Sequence, residues 1–196
     1  MKSRVSNESL VAAGLELMRV AGHPLKRLNT GNRAMKYTLP NGQSVRIRTC
    51  NDHVLVVLAE SVEPNAKLNI EGTDHLLIVM PRSPRAAGPV DAYFVPTVVA
   101  VEAARKAHAE WLASKPSTKG NNRTWNLWFD DQVSSGGFAK TWAKYRLAGE
   151  ASTSNVAQSA SGGPRSLGEV ISTARQEIAI AAGVSVDAVK ITVALD

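Results

Sequence analysis

The chain has 196 residues, of which 44% are hydrophobic and 20% are charged, a composition typical of a globular protein rather than a disordered or fibrous one. Its formal net charge of +6 favours an anionic partner. The single cysteine, Cys50, excludes an internal disulfide framework and a cysteine-based zinc cluster. Because no apolar signal core or membrane-length run occurs, we expect a cytoplasmic protein without membrane contact, from a bacterium or a mobile element.

Charge is distributed unevenly along the chain. Residues 1–48 contain nine Lys or Arg and two acids, whereas residues 49–80 contain five acids and one lysine. Residues 81–150 are basic again. Two basic regions on either side of an acidic one predict a polarised surface, provided that the two basic regions meet in the fold.

A helix is predicted near the start of the chain. Ser6 or Asn7 can cap it, and Gly22 would end it near Ala21, just before His23-Pro24. An apolar stripe at helical spacing supports this prediction. The stripe consists of Leu10, Gly14, Leu17, Met18 and Ala21.

A β-hairpin is predicted next, over residues 35–49. The dipeptide Asn-Gly at 41–42 separates two strand-like segments, which is the strongest short-range hairpin signal. A two-residue turn would pair Tyr37 with Arg46 and Met35 with Arg48. The side chains that would share the other face are Thr38, Val45, Ile47 and Lys36. Cys50 follows this hairpin, and we expect its thiol to be buried and inert.

Two later segments, 51–58 and 73–80, echo each other. Each begins with a polar turn that contains Asp-His and continues as an unbroken apolar run, which is typical of a strand buried on both faces. A third strand is predicted over 91–95. It should lead through Pro96 into a helix from about residue 98 to 113, with Thr97 as the N-cap.

The aromatic residues concentrate in the region that follows, since all four tryptophans lie between Trp111 and Trp142. Residues 125–129 alternate as a short strand, and residues 137–146 predict a helix. The core-facing residues of these two elements would be Trp125, Leu127, Phe129, Phe138, Trp142 and Tyr145. Trp128 would lie on the other strand face beside polar neighbours, where it could stack on a base.

These elements predict an α/β (α+β) fold with a mixed central sheet, a hairpin and flanking helices, in a core domain over residues 1–148. Residues 149–165 are small and polar, and they predict a flexible linker. Residues 166–196 predict a helix–strand appendage in which a capping box at Ser166 begins the helix and Val189–Leu195 alternates as a strand. So short a segment cannot fold alone, so we expect it to dock on the core or on another chain.

Motifs that carry chemistry are few. The Asp-His pairs could supply oxygen and nitrogen ligands to a metal ion if the two echoed strands were neighbours. The four residues concerned are Asp52, His53, Asp74 and His75. In the simpler interpretation each pair forms the turn before its strand. No nucleophile elbow and no glycine-rich phosphate loop occurs, so the sequence predicts neither a catalytic residue nor a cofactor.

The order of these elements over residues 8–147 resembles that of the PD-(D/E)XK nuclease-like fold. Residues 45–49, Val-Arg-Ile-Arg-Thr, lie where that family carries its second-strand Glu/Gln-x-Lys. The strand 91–96, which ends in proline, and the Trp-x-Leu-x-Phe strand 125–129 are similar to later elements of the family. The Phe-x-x-x-Trp helix that follows is similar to its closing element.

The catalytic positions of that family are not matched. Ala34, Met35 and Lys36 stand where a metal-binding acid should precede the hairpin turn. Arg46 stands in place of the Glu or Gln, and Arg48 in place of the Lys. Because paired carboxylates are needed to hold Mg²⁺ and activate water, the resemblance implies a domain that binds nucleic acid without cleaving it.

The sequence therefore predicts a non-catalytic nucleic-acid-binding protein, a degenerate nuclease-like domain with a basic, Trp-containing surface. The predicted contact residues are Arg33, Lys36, Arg46, Arg48, Arg123, Trp128, Lys140, Lys144 and Arg146. Phosphate contacts would make the affinity salt dependent, with little sequence preference. Two alternatives stay open: an adaptor that binds another protein, or itself, through the Val189–Leu195 strand, and a metal-dependent hydrolase built on the Asp-His pairs.

Overall fold

The computed structural model describes residues 4–28, 36–61, 63, 65–114, 123–131, 136–153, 168, 171, 174–175, 178 and 188–192. Its helices and strands are α1 (Asn7–Val20), β1 (Lys26–Arg27), β2 (Lys36–Thr38), β3 (Ser44–Thr49), β4 (Val54–Leu58), β5 (His75–Pro81), β6 (Val90–Pro96), α2 (Thr97–Ser114), β7 (Thr124–Trp128) and α3 (Phe138–Thr141). A 3-10 turn, Ala143–Tyr145, follows α3. Within the described ranges, every helix is too short or too polar to cross a bilayer.

The main sheet has five strands in the order β1-β2-β3-β5-β6. β3 and β5 run parallel, and all other neighbours in this sheet run antiparallel. β4 pairs with β7 in a separate, antiparallel two-stranded sheet. This mixed sheet with its hairpin and flanking helices confirms the predicted fold class.

α1 covers one face of the main sheet. Ser6 caps it, since the Ser6 hydroxyl accepts a hydrogen bond from Ser9 N at 3.0 Å. Its buried stripe comprises Leu10, Val11, Ala13, Gly14, Leu17 and Met18. Gly14 brings the helix very close to β5, because a Cβ at this position would lie only 2.5 Å from Val79 Cγ2. The predicted start and end of this helix are therefore confirmed to within a residue.

α2 and the small sheet cover the opposite face of the main sheet. The small residues Ala100, Ala104 and Ala107 bury one side of α2. The helix begins at Thr97, one residue before the predicted start, and the predicted N-cap is wrong because Thr97 Oγ1 makes no hydrogen bond within the described residues. Aromatic residues in and directly after β7 and α3 belong to the same core cluster as these alanines. Trp125, Phe129, Phe138 and Trp142 are all buried. Their prediction as core residues is confirmed.

The helix predicted over residues 137–146 is shorter than expected. α3 has four residues, and the chain leaves α-helical geometry at Trp142 (φ −102°, ψ 18°) before the 3-10 turn begins. Trp142 is 2% exposed and lies 5.7 Å, ring to ring, from Phe129. Packing of these aromatic rings against the core thus outweighs continuation of the helix.

The hairpin turn has three residues rather than two. Leu39 N donates to Gln43 O and Gly42 N donates to Leu39 O, each at 2.9 Å, so the loop is Pro40-Asn41-Gly42. Gly42 has φ +86°, the left-handed conformation that ends a type I turn with a bulge. The predicted two-residue turn is wrong, because this bulge adds one residue to the loop.

The change of turn shifts the strand register by one residue. Tyr37 pairs with Val45, and Lys36 pairs with Arg46. Tyr37 and Val45 are buried against α1. The predicted pairing of Tyr37 with Arg46 is wrong, and Lys36 lies on the sheet face opposite to Val45. The expected partner of Arg48, residue 35, lies outside the described residues.

β4 and β5, the strands formed by the two similar segments, differ in burial. Leu55 and Val57 are fully buried, but Val56 is 37% and Leu58 is 47% exposed. The strand alternates because only its inner face packs on the core, so its predicted burial on both faces is wrong. β5 is buried from Leu76 onward, as predicted. Cys50, just after β3, has a buried side chain, and its amide donates to Val79 O at 2.9 Å.

The chain divides into two compact units, residues 1–157 and 158–196. Residues 149–153, which the sequence assigned to the linker, still pack on the first unit. Val90 N donates to Ala151 O and Thr153 N donates to Gly88 O, both at 3.0 Å. Backbone pairing therefore extends the first unit beyond the predicted boundary at residue 148.

The second unit is described at ten positions. Residues 168, 171, 174, 175 and 178 are helical, in agreement with the predicted helix. Arg175 Nε donates to Val189 O at 2.8 Å, and Val189 is buried. Residues 189–192 are not in a hydrogen-bonded strand, so the predicted strand Val189–Leu195 is wrong over its first four residues. The remaining part, the capping box at Ser166 and linker residues 154–165 lie outside the described residues.

Candidate functional site

Four cationic residues share one face of the strands β1, β2 and β3. The register places Lys26 beside Thr38 and Lys36 beside Arg46, and Arg48 lies two residues farther along β3. Since side chains alternate along a strand and Tyr37 is buried against α1, these cations lie on the face opposite to α1. We name Lys26, Lys36, Arg46 and Arg48 the cation face. None of the three strands contains an acidic residue.

The two arginines of the cation face lie partly beneath the small sheet. Arg46 Nη1 donates to Asn69 O, and Arg48 Nη2 donates to Val56 O at 2.8 Å. Both acceptors are main-chain carbonyls, so the guanidinium groups also hold β4 and its following loop to β3. Arg46 Nε is buried and has no hydrogen-bond partner in the described part of the chain. Each guanidinium offers five N–H donors and thus retains capacity for another acceptor.

Both burial and the neighbouring charge of Arg46 affect the pKa of Arg48. Burial lowers the pKa of Arg48, and the nearby charge of Arg46 lowers it further, against an opposing effect of Cys50. Arginine nevertheless stays protonated in proteins, because its intrinsic pKa is so high. The two guanidinium groups therefore hold positive charge close together, at an electrostatic cost that a bound anion would relieve.

Among the described residues, the cation face has no carboxylate partner. In the described ranges, no ion pair joins any of its four members to an acid. Several arginines elsewhere do form ion pairs with acids. Asp52 pairs with Arg4 and Arg85, and Asp91 pairs with Arg82 and Arg146. The cation face is consequently a patch of uncompensated positive charge.

The second group of predicted contact residues is dispersed. Arg146 Nη2 lies 2.6 Å from Asp91 Oδ1, an ion pair that partly compensates its charge. Arg146 bridges to Tyr93 on β6, at the sheet edge opposite to β1. Arg123 donates to Glu60 O beside the start of β7, whereas Trp128 ends that strand. The structure thus places these residues at several locations, apart from the β1–β2–β3 strands.

The remaining residues of this group are solvent-accessible to different degrees. Lys140 and Lys144 are exposed, and Lys144 Nζ lies 4.9 Å from the ring centroid of Tyr145. Trp128 is half-buried on the outer face of the small sheet, where its register partner is Val54. Its side chain therefore has an apolar neighbour across the strands. Arg33 lies outside the described residues.

The Asp-His pairs do not converge. The two strands that follow them belong to different sheets, because β4 pairs with β7 and not with β5. Asp74 N donates to Ser44 O at the start of β3, whereas Asp52 follows Cys50 beyond the end of β3. The two pairs consequently lie at opposite ends of the parallel strands β3 and β5. The alternative in which the four side chains share one metal ion is therefore not supported by their positions.

The same four side chains have structural partners. Asp52 accepts from Arg4 Nη2 at 2.8 Å and from Arg85, and His53 Nε2 lies 2.6 Å from Pro81 O. Asp74 Oδ2 accepts from Ser44, and the His75 ring stacks on Phe94 at 4.6 Å. Within the described ranges, no group of three His, Cys, Asp or Glu side chains is arranged to hold a metal ion.

Sequence reasoning missed Lys26 as a candidate contact. Its strand has only two residues, too few for a period-2 pattern, and its place on the cation face follows from pairing with β2. Comparison with protein-family models, with curated proteins and with solved structures finds no match to this chain. The resemblance to the PD-(D/E)XK nuclease-like fold stays a prediction.

Proposed function

We propose that this protein binds nucleic acid without cleaving it, and that the cation face contacts the phosphate backbone. The observation that carries the proposal is the grouping of four cations on one sheet face without a carboxylate partner in the described residues. A polymer with a regular series of negative charges is the natural complement of such a surface.

The chemistry of the cation face suits phosphate oxygens. Lys26 is exposed and Lys36 is half-exposed, so both can act as point charges near the backbone of the ligand. The guanidinium groups of Arg46 and Arg48 each have N–H donors beyond the single bond described for them. A phosphate would accept these donors and reduce the repulsion between the two arginines.

Contacts of this kind position a ligand and carry no sequence information. We therefore expect similar affinity for oligonucleotides of unrelated sequence, and a strong decrease in affinity as salt rises. The slope of log K against log salt should be about 0.9 per phosphate contact on duplex DNA, and about 0.7 on single strands.

The first experiment compares the full chain with the double variant Lys26→Gln/Lys36→Gln, by fluorescence anisotropy with single-stranded and duplex DNA over a salt series. The side chains of these lysines make no hydrogen bond or ion pair in the described residues, so the fold should persist. The variant should bind more weakly on every sequence, and its salt slope should fall by about 1 per lysine removed.

The matched control is Lys140→Gln/Lys144→Gln, which removes the same charge from two exposed lysines on and after α3. It should change affinity and slope much less. Equal losses in both double variants would attribute binding to net charge instead of to the cation face. No binding to either DNA at low salt would refute the proposed function.

A further inference from the structure

The outer face of the small sheet carries exposed apolar side chains. Side chains alternate along β4, so Val54, Val56 and Leu58 point away from the core, whereas Leu55 and Val57 are buried in it. Val56 is 37% and Leu58 is 47% exposed. These two lie side by side on one strand face, and neighbouring exposed apolar side chains indicate a surface that contacts a partner.

β7 completes this outer face. The register places Trp128 opposite Val54 and Asn126 opposite Val56. Trp128 is half-buried, and Asn126 is exposed. Neither β4 nor β7 contains an acidic residue. We name Val54, Val56, Leu58 and Trp128 the apolar face.

The apolar face adjoins the cation face. Arg48 Nη2 donates to Val56 O at 2.8 Å, so its guanidinium group touches the edge of β4 that faces away from β7. Arg46 donates to Asn69 O, and Asn69 N in turn donates to Leu58 O at 2.8 Å. β7 lies about 5 Å beyond β4, the usual spacing of paired strands. A ligand can therefore contact both faces at once.

This combination is selective for one state of a nucleic acid. In a duplex the base faces are stacked on each other, and the grooves present base edges. In a single strand the base faces are available to aromatic and apolar side chains, while the phosphates still require cations. An apolar surface beside uncompensated positive charge matches the single strand.

We propose that the protein binds single-stranded nucleic acid, with phosphates on the cation face and unpaired bases on the apolar face. One base would stack on the ring of Trp128, and the exposed amide of Asn126 could hydrogen-bond to a base edge. This inference rests on the proposed function and specifies its ligand. Stacking tolerates every base, so little sequence preference is expected.

Charge complementarity favours this ligand over a second copy of the chain. β1, β2, β3, β4 and β7 contain no acidic residue. A twofold contact through the apolar face would bring two cation faces near each other, because Arg48 lies at the edge of β4. Like charges would then repel, whereas a polyanion compensates them.

The experiment measures the affinity of the full chain for three probes by fluorescence anisotropy at near-physiological salt. The probes are a thymidine oligonucleotide, its duplex with the adenosine complement, and an abasic deoxyribose phosphate oligomer of equal length. The single strand should bind about tenfold more tightly than either of the others, because only its bases are free to stack.

Two variants test the apolar face. Trp128→Leu removes the aromatic ring and keeps an apolar residue, and it should weaken single-strand binding about tenfold. Val56→Thr/Leu58→Thr keeps good strand formers and should weaken it about threefold. Neither variant removes a cation, so the salt slope and the affinity for the abasic oligomer should stay as in the parent.

The matched control is Val20→Thr, which changes an apolar side chain that is 54% exposed at the end of α1, away from both faces. It should bind all three probes as the parent does. The inference is overturned if the duplex or the abasic oligomer binds as tightly as the single strand. It is also overturned if both apolar-face variants retain the parent affinity for the single strand.

Failure of this inference is distinguishable from failure of the proposed function. Binding that is equal on all three probes and weakens in Lys26→Gln/Lys36→Gln would leave the cation face as a phosphate contact and remove the role of the apolar face. Absence of binding to every probe at low salt would overturn both.

Discussion

At the scale of single residues, two aspartates each form ion pairs with two arginines. Asp52 accepts from Arg4 and Arg85, and Asp91 accepts from Arg82 and Arg146. All four arginines are distant in sequence from their acids or separated from them by a turn. Each aspartate thereby partly compensates two arginines, whereas no member of the cation face pairs with an acid in the described residues.

We predict that Asp52→Asn lowers the melting temperature by about 1–3 °C at neutral pH, because two exposed ion pairs are lost. Hydrogen bonding to Arg85 is the main cause that lowers the pKa of Asp52 below its ordinary value of 3.8. A lowered folded-state pKa stabilises the protein above that ordinary value, and the contribution disappears as the pH falls through the folded-state pKa. Thermal unfolding of both proteins from neutral pH to below 3.8 measures this difference.

The control for this pH series is Glu110→Gln, which removes a single exposed pair with Lys106 at 4.0 Å. That variant should unfold close to the parent temperature throughout. A melting-temperature difference for Asp52→Asn that stays constant as the pH falls below 3.8 would contradict the assignment to the carboxylate charge.

At the scale of secondary structure elements, the contact between α1 and β5 is unusually close. No side chain separates the helix backbone from Val79 at Gly14. We predict that Gly14→Ala destabilises the protein by about 1–2 kcal/mol, because overpacking outweighs the better helix propensity of alanine. Urea unfolding measures the change.

The double variant Gly14→Ala/Val79→Ala tests the cause. Removing the Val79 methyl groups opens the space that the new Cβ would occupy, so the two substitutions should be clearly non-additive and the double variant more stable than the sum of the single effects. Simple additivity would mean that the helix moves away from the sheet instead.

Much of the element order could be predicted from local signals. The capping residue Ser6 predicts where α1 begins, and the alternation in residues 125–129 predicts which face of β7 is buried. The hairpin register could not be predicted, because Asn-Gly fits both a two-residue loop and the end of a bulged three-residue loop. The burial of β4 could not be predicted correctly, because an entirely apolar sequence is compatible with a strand buried on one face or on both.

At the scale of the whole molecule, the main sheet separates two cores. α1 packs on one side, and α2 with the small sheet packs on the other. Lys36, Arg46 and Arg48 could be nominated from sequence as basic residues of a hairpin, but their common face depends on a register set by the turn. The ion pair between Arg146 and Asp91 joins residues 55 positions apart, and no local pattern could predict it.

Because Cys50 is buried, the rate at which its thiol is alkylated reports how often this part of the protein unfolds. Burial raises the pKa of this thiol to about 12, so the folded protein carries almost no thiolate near pH 8. Alkylation by iodoacetamide should therefore be negligible in buffer and accelerate in parallel with unfolding as urea is added. Fast labelling without urea would indicate that the segment containing Cys50, which pairs with Val79, unfolds locally while the rest of the protein stays folded. Either result provides a residue-specific measure of native-state dynamics without introducing any probe.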